Sequence, residues 1–390
     1  MKKNHLKPYI EFFTDKWVIR AFLVILGIEL ILQFGLWSPL LKKNSFASNI
    51  SRIIDHTTSQ IPNWDPNAMI LGTSIAFEGI SLPQLNDTVK ETGFEFQSLA
   101  VPGSELIVQD LVVEKHLPKF KKVKILFHVM DLGLPWNDRK ELIQPTLVML
   151  SEMGNFRSIS KVYEYEYVVK PIDIITLLSK TVAYKHDIAD FFKEPNERIK
   201  FWGRKYRTPN QNYWDYDNVH PERVSAYKVH DLSDCFENIK LNDASPIIPP
   251  DSSPRHREDL YKTCVMAKEL PEDFRENETT KKYFKRLNML YDRIRARDIK
   301  IVHVFAPIHE SLHTPIHAKK MALWHEELKR LNGGVEPEII DLQEIFVGKD
   351  SGYYTYDLIH LNESGKHFFT EAFSREILKR YPNGLSSISK

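Results

Sequence analysis

The chain has 390 residues, 42% of them hydrophobic, and its 53 basic and 52 acidic residues leave a formal net charge of +1. That length accommodates one large domain or two smaller ones. The even charge balance, with no Lys/Arg-rich arm, gives no argument for a nucleic-acid partner, and none is expected.

The first element is an apolar stretch at 17–40, reading WVIRAFLVILGIELILQFGLWSPL, close to the length that spans a bilayer. Lys2, Lys3, Lys7, Lys16 and Arg20 lie on its N-terminal side against Glu11 and Asp15, and only Lys42 and Lys43 follow it. This bias predicts a cytoplasmic tail at 1–16, a single-pass transmembrane helix at 17–40 and a body outside the cytoplasmic membrane. The competing reading is a cleaved signal peptide, against which stand the long N-terminal region and a poor cleavage site at Ser45-Phe46-Ala47. A buried core helix is disfavoured because the run is apolar nearly all round. Within it, Glu29 and Gln33 share one face, and an ionisable group at membrane depth usually faces protein. Two readings stand for this pair: contact with a polytopic membrane partner, or a protonated Glu carried by a lone anchor.

A polar linker is expected at 41–66, then a buried strand at 67–72. A helix at 82–91, a strand at 94–100, a helix at 105–116 and a strand at 123–130 follow, and this alternation predicts a parallel sheet covered on both faces. The pattern breaks at 151–280, expected to be one mostly helical insertion or cap with helices in 160–195 and a Pro/Ser-rich loop at 243–256. Its aromatic stretch from Phe201 to Tyr216 suits either stacking on sugar rings or packing of the insertion onto the main domain. Cys235 and Cys264 are the two cysteines, and an exported domain permits a disulfide between them. Order returns with a helix at 279–297, where Tyr283, Leu287, Leu290 and Ile294 recur at helical spacing. A strand at 300–306, a helix at 316–331, a strand at 338–342 and a helix at 363–380 complete the chain. The α/β domain thus comprises 67–150 and 281–390.

Two motifs near opposite ends carry chemistry. Leu71-Gly72-Thr73-Ser74 places a serine at a strand-to-helix turn, where free helix N–H groups point toward it. Asp357-Leu358-Ile359-His360 places a carboxylate where it can hold an imidazole, which is the nucleophile, base and orienting-acid logic of acyl transfer. The bland alternatives are a helix N-cap for Ser74 and polar turn residues for Asp357 and His360. His303, His309, His313 and His317 cluster in sequence, but Pro315 interrupts any helix that would align them on a metal, and no metal or other cofactor is expected. His309, after the C-terminal end of a strand, is a candidate substrate contact.

With these blocks in order, the chain resembles the SGNH (GDSL-like) hydrolase superfamily, particularly its membrane-anchored DltD-like and alginate-O-acetylation-like branches. The resemblance implies a three-layer, flavodoxin-like α/β fold with a parallel sheet, here carrying the helical insertion and an N-terminal transmembrane helix. Ser74 would be nucleophile, His360 base and Asp357 its orienting acid. Gly103, in Ser98-Leu99-Ala100-Val101-Pro102-Gly103-Ser104, would join the Ser74 amide in the oxyanion hole. Leu361-Asn362-Glu363-Ser364-Gly365 continues the usual approach to the last helix. One block departs: His128-Val129-Met130-Asp131 has Met130 where the superfamily carries an oxyanion-donating Asn. Loss of one such donor costs roughly 10²–10³ in rate, although the anchored relatives also tend to lack it. The implied activity is an O-acyltransferase or esterase acting on a cell-envelope polysaccharide or glycopolymer. Its partners would be an acyl donor and an MBOAT-type membrane protein met through Glu29 and Gln33. The alternative is a non-catalytic assembly or polysaccharide-binding subunit of an envelope-modification complex.

Overall fold

The computed structural model describes residues 7–42, 45–59, 65–133, 135, 139–200, 220–239, 253–268, 274–275 and 277–384. The chain divides into two compact units, residues 52–140 with 211–390, and residues 1–51 with 141–210.

The first unit is built on strands β1 (Ala68–Gly72), β2 (Phe96–Ser98), β3 (Ile125–Met130), β4 (Lys300–Phe305) and β5 (Ile339–Asp341). All neighbours pair in parallel, in the order β2-β1-β3-β4-β5. This is the flavodoxin-like order, which places a ligand crevice at the β1/β3 switch point beyond the carboxyl ends of the strands. Every residue of β1 and β3 is buried, as expected of central parallel strands covered on both faces. Alternation along β3 assigns the two layers. Ile125, Phe127 and Val129 join a core with Leu85 of helix Leu82–Val89 and Phe369 and Phe373 of helix Glu363–Arg380. His128 faces the other way, bonding Tyr291 of helix Glu278–Arg295 and Gln109 of helix Leu106–His116 at 2.9 and 3.1 Å. The result is a three-layer α/β arrangement.

The expected strand at 94–100 is a strand only across Phe96–Ser98, although the Leu99 and Val101 amides still bond the Ile70 and Gly72 carbonyls of β1 at 2.8 and 3.2 Å. The expected insertion at 151–280 also divides. Its second half, with helices Leu232–Asn238 and Pro254–Lys268, belongs to the sheet unit. Cys235 and Cys264 form a disulfide across these helices. Their apolar residues cluster around it with Leu358 of the Asp-x-x-His loop. The aromatic stretch from Phe201 to Tyr216 lies outside the described residues, as does most of the loop at 243–256.

The second unit is all helical where described, comprising Lys7–Thr14, Lys16–Gln33, Gln144–Met153, Asn155–Glu164, Pro171–Leu178, Lys180–Ala183, Lys185–Phe191 and shorter turns. Leu32, Leu41, Ala47, Ala183 and Tyr184 form its small core. The segment 41–66, expected as a linker, contains a helix at Phe46–Ser59 with Ile50, Ile53 and Ile54 buried. The apolar run at 17–40 is not one continuous helix. Gly35 takes a left-handed φ of +73°, its amide bonds the Leu32 carbonyl, and the Leu36 amide reaches back to Ile31, a Schellman stop. The 18 residues of Lys16–Gln33 extend about 27 Å against a hydrocarbon core of roughly 30 Å. Among the described residues no helix is long and apolar enough to cross a membrane.

Candidate active site

Gly72 ends β1 where the chain runs close against its neighbours. A Cβ there would lie 2.7 Å from Ala76 Cβ and 2.8 Å from the Val129 carbonyl oxygen, so only glycine lets β1 pass β3 and enter the helix Ser74–Gly79. Thr73 is that helix's N-cap, its hydroxyl accepting from the Ile75 amide at 3.4 Å. The capping role is therefore filled by Thr73, which leaves the Ser74 hydroxyl free for another partner. That partner is His360: Ser74 Oγ lies 2.8 Å from His360 Nε2, across 286 residues of sequence.

The Asp-x-x-His spacing has a local cause. One oxygen of Asp357, Oδ1, accepts from the backbone amides of Ile359 (2.8 Å) and His360 (2.7 Å), folding the loop into a tight turn. The other, Oδ2, stands 2.9 Å from His360 Nδ1. The carboxylate thus holds both the backbone and the ring of the histidine, and leaves Nε2 directed at Ser74. Asp357 is buried and His360 partly so. Burial pushes the Asp357 carboxyl upward, but the His360 charge and the three bonds outweigh it and hold the pKa below the ordinary carboxylate value. For His360, burial disfavours the cation, yet the Asp357 charge and hydrogen bond, with smaller contributions from Glu78 and Asp131, raise its pKa above that of a free histidine. Chemically this is a serine whose proton has an acceptor, and a base whose cation is stabilised as it forms.

Gly103 lies in the turn after β2, and that turn is tied to the end of β1. The Ser104 amide bonds the Val101 carbonyl at 3.1 Å, and the Gly72 carbonyl accepts from Val101 N (3.2 Å) and Ser104 Oγ (3.4 Å). Met130 is turned into the core, 1% exposed, where its sulfur receives the Tyr291 hydroxyl at 3.6 Å. The residue after it, Asp131, accepts from the Gly133 amide at 3.1 Å and lies in the electrostatic field of the triad. Burial raises its carboxyl pKa and the Asp357 charge adds to this, against the Gly133 bond and the His360 charge.

His309 stands elsewhere. It is fully buried, its Nδ1 accepting from the Ser311 amide at 3.2 Å and lying 2.9 Å from Ser311 Oγ, while its own amide bonds the Leu358 carbonyl. Burial, with the nearby His230 and His313, lowers its pKa to about 4 and keeps the ring neutral. The expected substrate contact is corrected accordingly: the ring has no accessible face, and its role is to cap the turn behind the Asp-x-x-His loop. His303 is buried against the Glu338 carbonyl and His317 bonds Gln343 at 2.7 Å. Among the described residues no group of three or more His, Cys, Asp or Glu side chains could hold a metal ion.

Sequence reasoning missed a second tier around the triad. Glu78 lies one helical turn beyond Ser74 and contributes to raising the His360 pKa. It pairs with His220 at 3.5 Å. His220 stacks on Tyr356 at 3.7 Å between centroids, His256 stacks on the same ring at 4.6 Å, and the His256 ring nitrogen bonds the Tyr356 carbonyl. Tyr356 immediately precedes Asp357, so His220 and His256 brace the Asp-x-x-His loop. The i,i+4 spacing of Ser74 and Glu78 was legible, but nothing in the sequence tied His220 or His256 to them.

Comparison of the sequence with models of known protein families finds no match, and comparison with curated proteins finds no relative.

Proposed function

We propose that this chain is a membrane-associated, SGNH-type serine O-acyltransferase or esterase that acts on a cell-envelope polysaccharide or glycopolymer. The observation that carries the reading is the Ser74–His360–Asp357 relay, with bonds of 2.8 and 2.9 Å at the carboxyl ends of β1 and the last β-to-α connection. Ser74 Oγ attacks an acyl carbonyl as His360 Nε2 takes its proton, Asp357 steadies the imidazolium, and the Ser74 and Gly103 amides receive the oxyanion. His360 returns the proton to the leaving group. The acyl-enzyme then passes its acyl group to a sugar hydroxyl or to water, the incoming oxygen losing its proton to His360 while Ser74 regains one.

The Cys235–Cys264 bridge fits a body outside the cytoplasm, where disulfides persist. The apolar, exposed surface of helix Lys16–Gln33 supports membrane attachment, with the N-terminus inside. An MBOAT-type acyl donor fits such a transferase, but not by contact through Glu29 and Gln33. Both side chains are already engaged by residues of the helical unit, Ser179 and Leu178 among them.

The test is labelling of the folded full-length protein with a serine-directed fluorophosphonate. An adduct on Ser74 that is lost in the His360→Ala variant is the expected result. Absence of an adduct on the wild-type protein rejects the enzyme reading in favour of a non-catalytic polysaccharide-binding subunit, the reading favoured by Met130. Product analysis with and without a sugar acceptor then separates transferase from esterase: acceptor-independent release to water rejects the transferase.

A further inference from the structure

Among the described residues, the large apolar side chains left exposed are concentrated in the helical unit, the sheet unit contributing only Met266, Ile316, Val335, Val347 and Tyr353. Within the helical unit they occupy two kinds of surface. On helix Lys16–Gln33 the consecutive residues Phe22, Leu23, Val24, Ile25 and Leu26 are all exposed. Five successive residues at 100° each cover the full circumference of a helix. A protein partner covers one side of a helix, whereas lipid covers every side.

Helix Pro171–Leu178, from the insertion, shows the reverse of the pattern expected of a helix in water. Ile172, Ile175 and Leu178, at i, i+3 and i+6, form one stripe exposed by 51, 49 and 38%, while Asp173 and Thr176 are buried on the opposite side with Leu177. The polar groups turned inward are satisfied locally. Asp173 accepts from the Lys170 amide at 2.8 Å, and Thr176 donates to the Ile172 carbonyl at 2.8 Å.

These two surfaces are fixed to each other by Glu29. Its Oε2 accepts from Ser179 Oγ (2.8 Å) and the Thr181 amide (3.0 Å), and its Oε1 from the Lys180 amide (2.9 Å) and Gln33 Nε2 (2.5 Å). Gln33 Nε2 also donates to the Leu178 carbonyl at 2.9 Å. The carboxylate that would be costly at membrane depth is thereby fully solvated by backbone and side-chain donors of the segment immediately after Leu178. Trp17 and the cations Lys16 and Arg20 mark the far end of the helix, about 18 Å from Glu29 at 1.5 Å per residue.

We propose that helix Pro171–Leu178 seats Ile172, Ile175 and Leu178 in the lipid hydrocarbon beside helix Lys16–Gln33, a second membrane-contacting element drawn from the insertion. The occupant of the stripe is the bilayer, because the stripe is continuous with a helix that only lipid can surround and is held to it by Glu29 and Gln33. The inference rests on the membrane attachment proposed above.

The experiment uses the full-length protein in vesicles of phosphatidylcholine and phosphatidylglycerol, with an environment-sensitive NBD label on a single introduced cysteine. Cys235 and Cys264 are bridged and do not compete for the label. The positions are Ile25→Cys for the N-terminal helix, and Ile172→Cys and Ile175→Cys for the stripe, all exposed, so that substitution leaves packing intact. Blue-shifted emission at all three positions, quenched by nitroxide-labelled lipid and shielded from aqueous iodide, is the expected result. Lipid quenching at Ile25 with iodide quenching at both stripe positions overturns the proposal and leaves the membrane attachment standing. Iodide quenching at all three positions overturns both.

Discussion

The two units of this chain each hold a carboxylate with backbone amides, with different consequences. In the sheet unit Asp357 accepts from two amides of its own loop and spends its second oxygen on His360. In the helical unit Glu29 spends both oxygens on the 179–181 turn and Gln33, so that nothing reactive remains. The first arrangement polarises a histidine against a serine, whereas the second is a structural clamp. The comparison teaches that capture of an acid by backbone amides does not identify a site; what the acid's remaining oxygen touches does.

The comparison breaks most sharply at Ser74. Ser74→Ala is expected to lower turnover by about 10⁴–10⁶-fold, the loss seen when one member of a triad is removed, with an unchanged melting transition because Thr73 holds the helix cap. Turnover within tenfold of wild type would reduce the Asp357 arrangement to a clamp like that of Glu29. The disulfide comes next. It closes a stretch with a sequence separation of 29 residues, and its removal in a Cys235→Ser, Cys264→Ser variant is expected to cost roughly 3–4 kcal/mol in denaturant unfolding. That loss belongs to the sheet unit and is read from the unfolding of its buried Trp324.

Glu29→Ala sharpens the contrast from the other side. It is expected to destabilise the helical unit by about 2 kcal/mol through the donors left unpaired, measured by hydrogen exchange at the 179–181 amides, with fluorophosphonate labelling of Ser74 unaffected. Faster exchange confined to the sheet unit would contradict a clamp. The smallest effect is expected at Glu78. The base works when His360 is neutral, and a raised pKa places the acid limb of the pH–rate profile above the ordinary histidine value of 6.5. Removing the Glu78 charge destabilises the imidazolium and lowers that pKa, so Glu78→Gln is expected to move the acid limb to lower pH, by about half a unit. A shift to higher pH, measured as kcat/KM against pH, would contradict the electrostatic role of Glu78.

Legibility in the sequence followed the same division. The five strands were readable because a parallel strand buried on both faces must be an apolar run of nearly fixed length, and only their ends shifted, as at β2, which is a strand only across Phe96–Ser98. Ser74, Asp357 and His360 were readable because a triad needs those residue types after those elements. His309 was misread: position at a strand end was visible, but the ring's burial against Ser311 was not. The helical unit was the least legible. Its apolar run at 17–40 gave no sign that Gly35 would stop the helix at Gln33, and the polar pair within it gave no sign of its partners.

What the sequence by itself determined, then, is the order of alternating strands and helices and the identity of the three residues that meet at the end of β1, since both depend on local pattern. Only the tertiary structure decided that Glu29 is answered from within the chain, that the segment at 220–268 braces the Asp-x-x-His loop, and that Glu78 and Asp131 bear on His360. Those contacts join residues about 100 to 280 positions apart, and such pairings are selected by packing and by the need to satisfy buried polar groups, neither of which leaves a periodic trace in the chain.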